Sequence, residues 1–233
     1  MWPARVLAGM ADIGCGEVRP ARAEDVDAAA GALGEAAVDE EVSRWVTPDE
    51  EAARRRGTTH RPHVARWLEG ARRSGELLLV GGEGGTVAGV ALWEFRAAGP
   101  PTGDGDDEAD AVLAEVYGEG LARLALVGEL VAARHPRSVP HWYLAQMAVV
   151  PDQRGRGLGG ALLRHHLARA DVEGHAAYLE ASSPRNQALY ARHGFVPAGP
   201  AIPLPDGGPI LRPMWRRGAS PHPAPPDGGR GLF

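Results

Sequence analysis

His141-Trp142-Tyr143-Leu144-Ala145-Gln146-Met147-Ala148-Val149-Val150-Pro151-Asp152-Gln153-Arg154-Gly155-Arg156-Gly157-Leu158-Gly159-Gly160 is the stretch on which the fold turns. Trp142 to Val150 is apolar, rich in β-branched and aromatic residues, and closed by Pro151, so it reads as a buried strand. From Leu158 the positions Leu158, Ala161, Leu162, His165 and Ala168 follow the three-and-four spacing of a helix face. Between strand and helix lie Gly155, Gly157, Gly159 and Gly160 with two guanidinium groups, Arg154 and Arg156. Glycines let backbone N–H groups approach a ligand, and the start of a helix adds partial positive charge, so this corner suits a pyrophosphate. A plain strand-to-helix turn would explain neither the glycines nor the paired arginines.

The ligand class narrows by exclusion. A Walker A loop needs a lysine for the outer phosphates, and the chain contains none. A dinucleotide fold needs Gly-x-Gly-x-x-Gly after its first strand, whereas Gly155-x-Gly157-x-Gly159 has another period and sits deep in the chain. What fits is Arg-x-x-Gly-x-Gly at Arg154, Gly157 and Gly159, after the strand end Ala148-Val149-x-Pro151. This resembles the acyl-CoA binding motif of the GCN5-related N-acetyltransferases (GNAT).

Composition bounds the rest. The 233 residues are 44% hydrophobic with a formal net charge of −5, enough chain for one sizeable domain and too acidic for a nucleic-acid partner. A single cysteine, Cys15, precludes an internal disulfide and suits a reducing cytoplasm. No run of apolar residues is long enough for a membrane span. Residues 1–16 lack the pattern of a signal peptide and are expected to form a poorly ordered extension. Residues 218–233, dense in proline and glycine, are expected to be a disordered tail, leaving 17–217 as the folded domain.

Along that domain, Glu17–Ala21 reads as a short strand, and Arg22 opens an alanine-rich helix running toward Leu33 and ended by Gly34. Further helical pieces follow at Ala36–Val46 and from Pro48, and Arg54-Arg55-Arg56 reads as a solvated helix face because carboxylates precede it at helix-pair spacing. Gly75–Gly81 and Thr86–Phe95 form a hairpin. Glu108 to Ala133 is helical with a break near Gly118 and Gly120. The acidic group Asp104, Asp106, Asp107, Glu108, Asp110, Glu115 and Glu119 reads as solvated surface, the alternative being attraction of a cationic amine. Ala176–Ala181 is a strand. Ser183-Pro184 caps and opens a helix terminated by Gly194, Phe195-Val196 begins a strand, and Ile210–Arg216 closes the sheet.

Tyr178-Leu179-Glu180-Ala181-Ser182-Ser183-Pro184-Arg185-Asn186, with Leu189-Tyr190 and Gly194-Phe195 after it, is a second constellation similar to this family, whose Asn-x-x-x-Tyr-x-x-x-Gly-Phe pattern completes the coenzyme groove. Within the family the motifs look most similar to puromycin N-acetyltransferase-like members, through Arg134-His135-Pro136-Arg137, Trp142-Tyr143-Leu144 and Pro151-Asp152 as well. The resemblance implies an α/β GNAT fold, a mixed, mostly antiparallel twisted sheet flanked by helices with splayed central strands. It further implies acetyl-CoA as co-substrate, its pantetheine arm along Met147, Ala148, Val149 and Val150. The diphosphate would lie on Arg154, Gly155, Arg156, Gly157, Leu158, Gly159 and Gly160, with Asn186 on the pantetheine amide or an ordered water, and Tyr190 would be the acid that protonates the leaving thiolate.

Each of these residues also has a plainer role. Tyr190 can be core, and Asn186 a helix-start residue bonding locally. Glu180 is the candidate base for a protonated amine, or else pairs with an arginine, and shares a strand face with Tyr178. His141 is a weaker base candidate, expected at the surface. His165 and His166 lack metal-ligand spacing, so no metal is expected. With no cysteine in either motif, direct attack of a primary amine of a small molecule, such as an aminonucleoside or other antibiotic, is expected over an acyl-enzyme. The alternative is a non-catalytic acyl-CoA sensor or partner-binding module. No nucleic-acid or membrane partner is expected, and a homodimer is compatible.

Overall fold

The computed structural model describes residues 13–99 and 113–219. In chain order the helices and strands are β1 (Val18–Pro20), α1 (Val26–Ala37), α2 (Glu41–Val46), α3 (Glu50–Thr58), α4 (Arg61–Ser74), β2 (Glu76–Gly81), β3 (Val87–Arg96), α5 (Leu121–Ala132), β4 (His141–Val149), α6 (Leu158–Glu173), β5 (Ala176–Ala181), α7 (Pro184–Ala191), β6 (Val196–Pro197), β7 (Ile202–Pro203) and β8 (Ile210–Arg216). They form a mixed α/β fold, a mostly antiparallel sheet with one parallel pair, flanked by helices. The chain divides into two compact units, and β4 contributes a half to each.

The first unit comprises 1–39, 50–94 and 145–165. β1 and β2, and β2 and β3, pair antiparallel, with Leu79 opposite Val90. Leu77 to Val80 and Val90 to Trp93 are almost fully buried, the continuous apolar run of strands covered on both faces. The start of α1 is locked by Asp25, which accepts from both Arg19 Nη atoms (2.6 and 2.9 Å) and from the Arg22 backbone N–H (2.8 Å). Arg19 holds that carboxyl below its ordinary pKa.

Gly34 does not end α1, which runs on to Ala37. A Cβ there would stand 2.8 Å from the Cα of Gly57, so this glycine lets α1 and α3 approach closely. Two arginines of the run on α3 behave as expected: Arg54 pairs with Glu50 and Arg55 with Glu51, four residues apart and exposed. Residues 13–16, expected within the poorly ordered extension, lie instead against β2. Ile13 is buried, Gly16 N donates to Gly81 O at 2.8 Å, and Cys15 bridges to Gly81 with its thiol free and exposed. Residues 1–12 are outside the described part, as are Asp104 to Asp110 of the acidic group and the tail from 220.

The second unit comprises 40–49, 95–144 and 166–233. β4 and β5 pair in parallel at His141–Ala176, Trp142–Ala177 and Tyr143–Tyr178, although both strands run further. β8 lies antiparallel to β5, β6 and β7. Trp45, Val46, Ile202, Leu204 and Leu211 form a core against α5. The expected break precedes α5 as a 3₁₀ turn at Gly118–Gly120.

α6 starts at Leu158 as expected, but its buried face is turned by one position. Leu158, Leu162, Leu163, His166, Leu167 and Ala170 are buried, while His165 and Ala168 are exposed. The leucines at 163 and 167 bury more apolar surface than the alanine at 168 would, and so draw the helix round. Ser183 caps α7 by accepting from Asn186 N at 3.2 Å, and Gly194, at φ 85°, follows its end.

Candidate active site

In the first unit β4 ends at Val149, Val150 N donates to Ala88 O at 2.9 Å, and a short 3₁₀ turn at Pro151–Gln153 leads to Arg154. Gly155 and Gly157 take φ 81° and 80°, the left-handed region that favours glycine. A Cβ at either would meet nothing within 4 Å, so the space beside both residues is open. Ala161 N bonds Gly157 O at 3.0 Å. The N–H groups of Leu158, Gly159 and Gly160 therefore fall in the first turn of α6, where an α-helix offers donors without an intrahelical partner. Open space, left-handed glycines and a helix start together make an anion-accepting corner.

The two arginines differ. Arg156 pairs with Glu83, and both side chains are largely exposed. Arg154 is engaged with the fold: Nε donates to Val149 O at 2.9 Å, and Nη1 and Nη2 grip Asp39 at 2.5 and 2.8 Å. Met147, Ala148 and Val149 are half-buried and Val150 is buried. A Cβ on Gly89 would stand 2.7 Å from Ala148 O, so β3 reaches this strand end closely.

In the second unit the parallel pair brings together side chains that alternate onto one face. Tyr143 donates its hydroxyl to Glu180 Oε2 at 3.0 Å. Burial raises the pKa of Glu180, opposed by the hydrogen bond from Tyr143, and it pushes the Tyr178 phenol up, with help from the Glu180 charge. The partner of Glu180 is thus the Tyr143 phenol rather than an arginine.

His141, expected at the surface, is fully buried. Its Nδ1 lies 2.8 Å from Val139 O, which only a ring N–H can satisfy, so Nε2 is left to accept from His135 Nε2 at 3.1 Å. Burial lowers the pKa of both rings, that of His135 to about 4, and the pair is neutral at pH 7.

On α7, Tyr190 is buried with its ring edge-on to Phe195 at 6.0 Å, and burial raises its phenol pKa. Asn186 is held locally, its Nδ2 donating to Ser182 Oγ at 3.2 Å. Sequence reasoning paired Glu180 with Tyr178 and missed Tyr143 and Asp39. The alternation of Tyr143 with His141 would have signalled the first; nothing local signals the second. Among the described residues no group of three His, Cys, Asp or Glu side chains is placed to hold a metal ion, and no helix is long and apolar enough to cross a membrane.

A family model described as an acetyltransferase (GNAT) domain matches residues 110–197. A solved structure described as histone acetyltransferase HPA2 and related acetyltransferase, from Corynebacterium glutamicum, is 32% identical, with 88% of this chain and 97% of that one covered and a TM-score of 0.64. The chain belongs to the GNAT acetyltransferase family. Two other GNAT-like structures share the fold at lower identity. Arylalkylamine N-acetyltransferase 2 from Aedes aegypti matches at 16% identity, coverage of 86% and 98%, and a TM-score of 0.61. An agmatine N-acetyltransferase matches at 17% identity, coverage of 86% and 98%, and a TM-score of 0.54. The GNAT model covers Gly155, Gly157, Asn186 and Tyr190, so both sequence constellations fall inside the matched span.

Proposed function

We propose that this GNAT protein transfers an acetyl group from acetyl-CoA to a primary amine of a small molecule by direct attack, in the cytoplasm, with residues 17–217 as its catalytic domain. The observation that carries this reading is the corner at Gly155–Gly160: two left-handed glycines with open space beside them, immediately before the first turn of α6. Its N–H groups and Arg156 suit the diphosphate of the coenzyme, and the half-buried backbone of Met147, Ala148 and Val149 with Val150 suits its pantetheine arm. The coenzyme supplies an activated thioester. The chain's own groups manage protons. Glu180, a carboxylate whose burial raises its affinity for a proton, takes one from the ammonium before the amine attacks. Tyr190 gives one to the departing thiolate as the C–S bond breaks and recovers one from the nitrogen of the new amide, Glu180 then releasing its own to solvent. Asn186, fixed at the start of α7, would contact the pantetheine amide.

The test is thiol release from acetyl-CoA with a panel of amines that includes puromycin, polyamines and amino acids. Turnover on a small primary amine is the expected result. Tight coenzyme binding without turnover on any amine would make the chain an acyl-CoA sensor instead, and absence of binding would remove both readings.

A further inference from the structure

Arg154 is the first residue of the loop motif, and its guanidinium is committed elsewhere. Beyond the bond to Val149 O and the two-pronged grip on Asp39, Nη2 also reaches Ala36 O at 3.4 Å, in the last turn of α1. A cation at that helix end faces the negative pole of the backbone dipoles. The four contacts join the last residue of β4, the end of α1 and Asp39, just beyond it, to the residue that starts the glycine loop. With Val150 N bonded to Ala88 O, both sides of the strand end are then fixed. Releasing Arg154 to wrap an anion would break a bidentate carboxylate fork, the strongest hydrogen-bond geometry an arginine makes. Arg156 faces less of an obstacle, since both side chains of its pairing with Glu83 are largely exposed, whereas Arg154 is mostly buried and only Asp39 is half exposed.

We propose that Asp39 is a positioning residue for the diphosphate-binding loop. It holds Arg154 against the carbonyls of Val149 and Ala36, and so sets where Gly155 to Gly160 present their N–H groups. This rests on the acetyl-CoA reading above. Asp39 acts through Arg154, so its removal is expected to act on coenzyme affinity and leave the chemical step alone.

The experiment is calorimetric titration of coenzyme A into the wild-type chain and into Asp39→Ala, Asp39→Asn and Asp39→Glu, with KM and kcat for acetyl-CoA and for S-acetylpantetheine, which lacks the diphosphate. Asp39→Ala is expected to weaken coenzyme A about tenfold and to raise KM for acetyl-CoA by the same factor at unchanged kcat. Kinetics with S-acetylpantetheine should stay at the wild-type level, and Asp39→Glu should recover most of the loss. Should Asp39→Ala fail to fold, Asp39→Asn keeps the shape and is expected to show about a threefold loss. Unchanged affinity overturns the proposal. Tighter binding overturns it too, since it would mean that Arg154, once freed, is itself an anion ligand. A wild-type chain that ignores coenzyme A would sink the acetyl-CoA reading and this one with it. Wild-type binding with indifferent Asp39 variants would sink this one alone.

Discussion

Tyr143 donates a hydrogen bond from its phenolic O–H to Glu180 Oε2 at 3.0 Å, a bond made between neighbouring parallel strands. Burial lifts the Glu180 pKa above its ordinary 4.5, and the Tyr143 hydrogen bond restrains that rise. Tyr143→Phe removes one restraint. The acid limb of kcat/KM against pH should therefore move to higher pH, and Glu180→Gln should lower kcat by about 10²-fold or more. A limb that stays put in Tyr143→Phe would exclude Glu180 as the base. Stability gives an independent reading. A carboxyl with a raised folded-state pKa penalises the fold once ionised, so its stabilising contribution is full below pH 4.5 and is lost as pH rises through the folded value. Glu180→Gln should be the more stable protein at pH 7, with the advantage vanishing in acid.

His135 works with the opposite sign. Its pKa falls from 6.5 to about 4 because burial disfavours the charged ring. Between those values the unfolded chain takes up the proton first, so stability present above pH 6.5 is lost as pH falls toward 4. Melting temperatures recorded from pH 7 to pH 4 should drop, and His135→Gln should flatten the slope. Parallel slopes in the two proteins would place the acid sensitivity elsewhere.

Tyr190→Phe keeps the edge-on contact with Phe195 and removes only the hydroxyl. The expected result is a loss in kcat of about 10²-fold or more with unchanged affinity for coenzyme A and little change in melting temperature. Full activity would assign Tyr190 to the core alone.

Two glycines separate conformational demand from space. At Gly157 nothing lies within 4 Å of an added Cβ, but φ is 80°. Gly157→Ala should cost about 1–2 kcal/mol from the backbone alone, and Gly157→Glu should abolish coenzyme binding by placing a carboxylate where an anion is expected, with the fold retained. Gly34 lies within a helix and is short of room, since its Cβ would meet the Gly57 backbone at 2.8 Å. Gly34→Ala should destabilise by about 1–3 kcal/mol with coenzyme affinity intact. Chemical denaturation and calorimetry on the same samples check both.

What the chain disclosed in advance was local. Ile210–Arg216, the Ser183 cap and the start of α6 at Leu158 are written in alternation, side-chain chemistry and spacing within a few residues, and each stands where it was read. Gly34 sits near a plausible helix end, but its purpose is a neighbour 23 residues on, which no local spacing reveals. α4 carries little local signal because its polar stretch buries only Leu68 deeply, and β7 has only two residues. The site divides the same way. The glycine loop and the start of α7 are contiguous and legible. The Tyr143–Glu180 bond depends on strand register, and the Arg154–Asp39 fork joins positions 115 residues apart.

The chain's sole sulfhydryl side chain, Cys15, is exposed where the chain bridges to Gly81, and it lies within electrostatic reach of Arg156. A maleimide fluorophore would therefore attach at a single defined point, without mutagenesis, next to the guanidinium proposed to meet the coenzyme diphosphate. Emission from such a label would report occupancy in real time and open the loop to stopped-flow measurement.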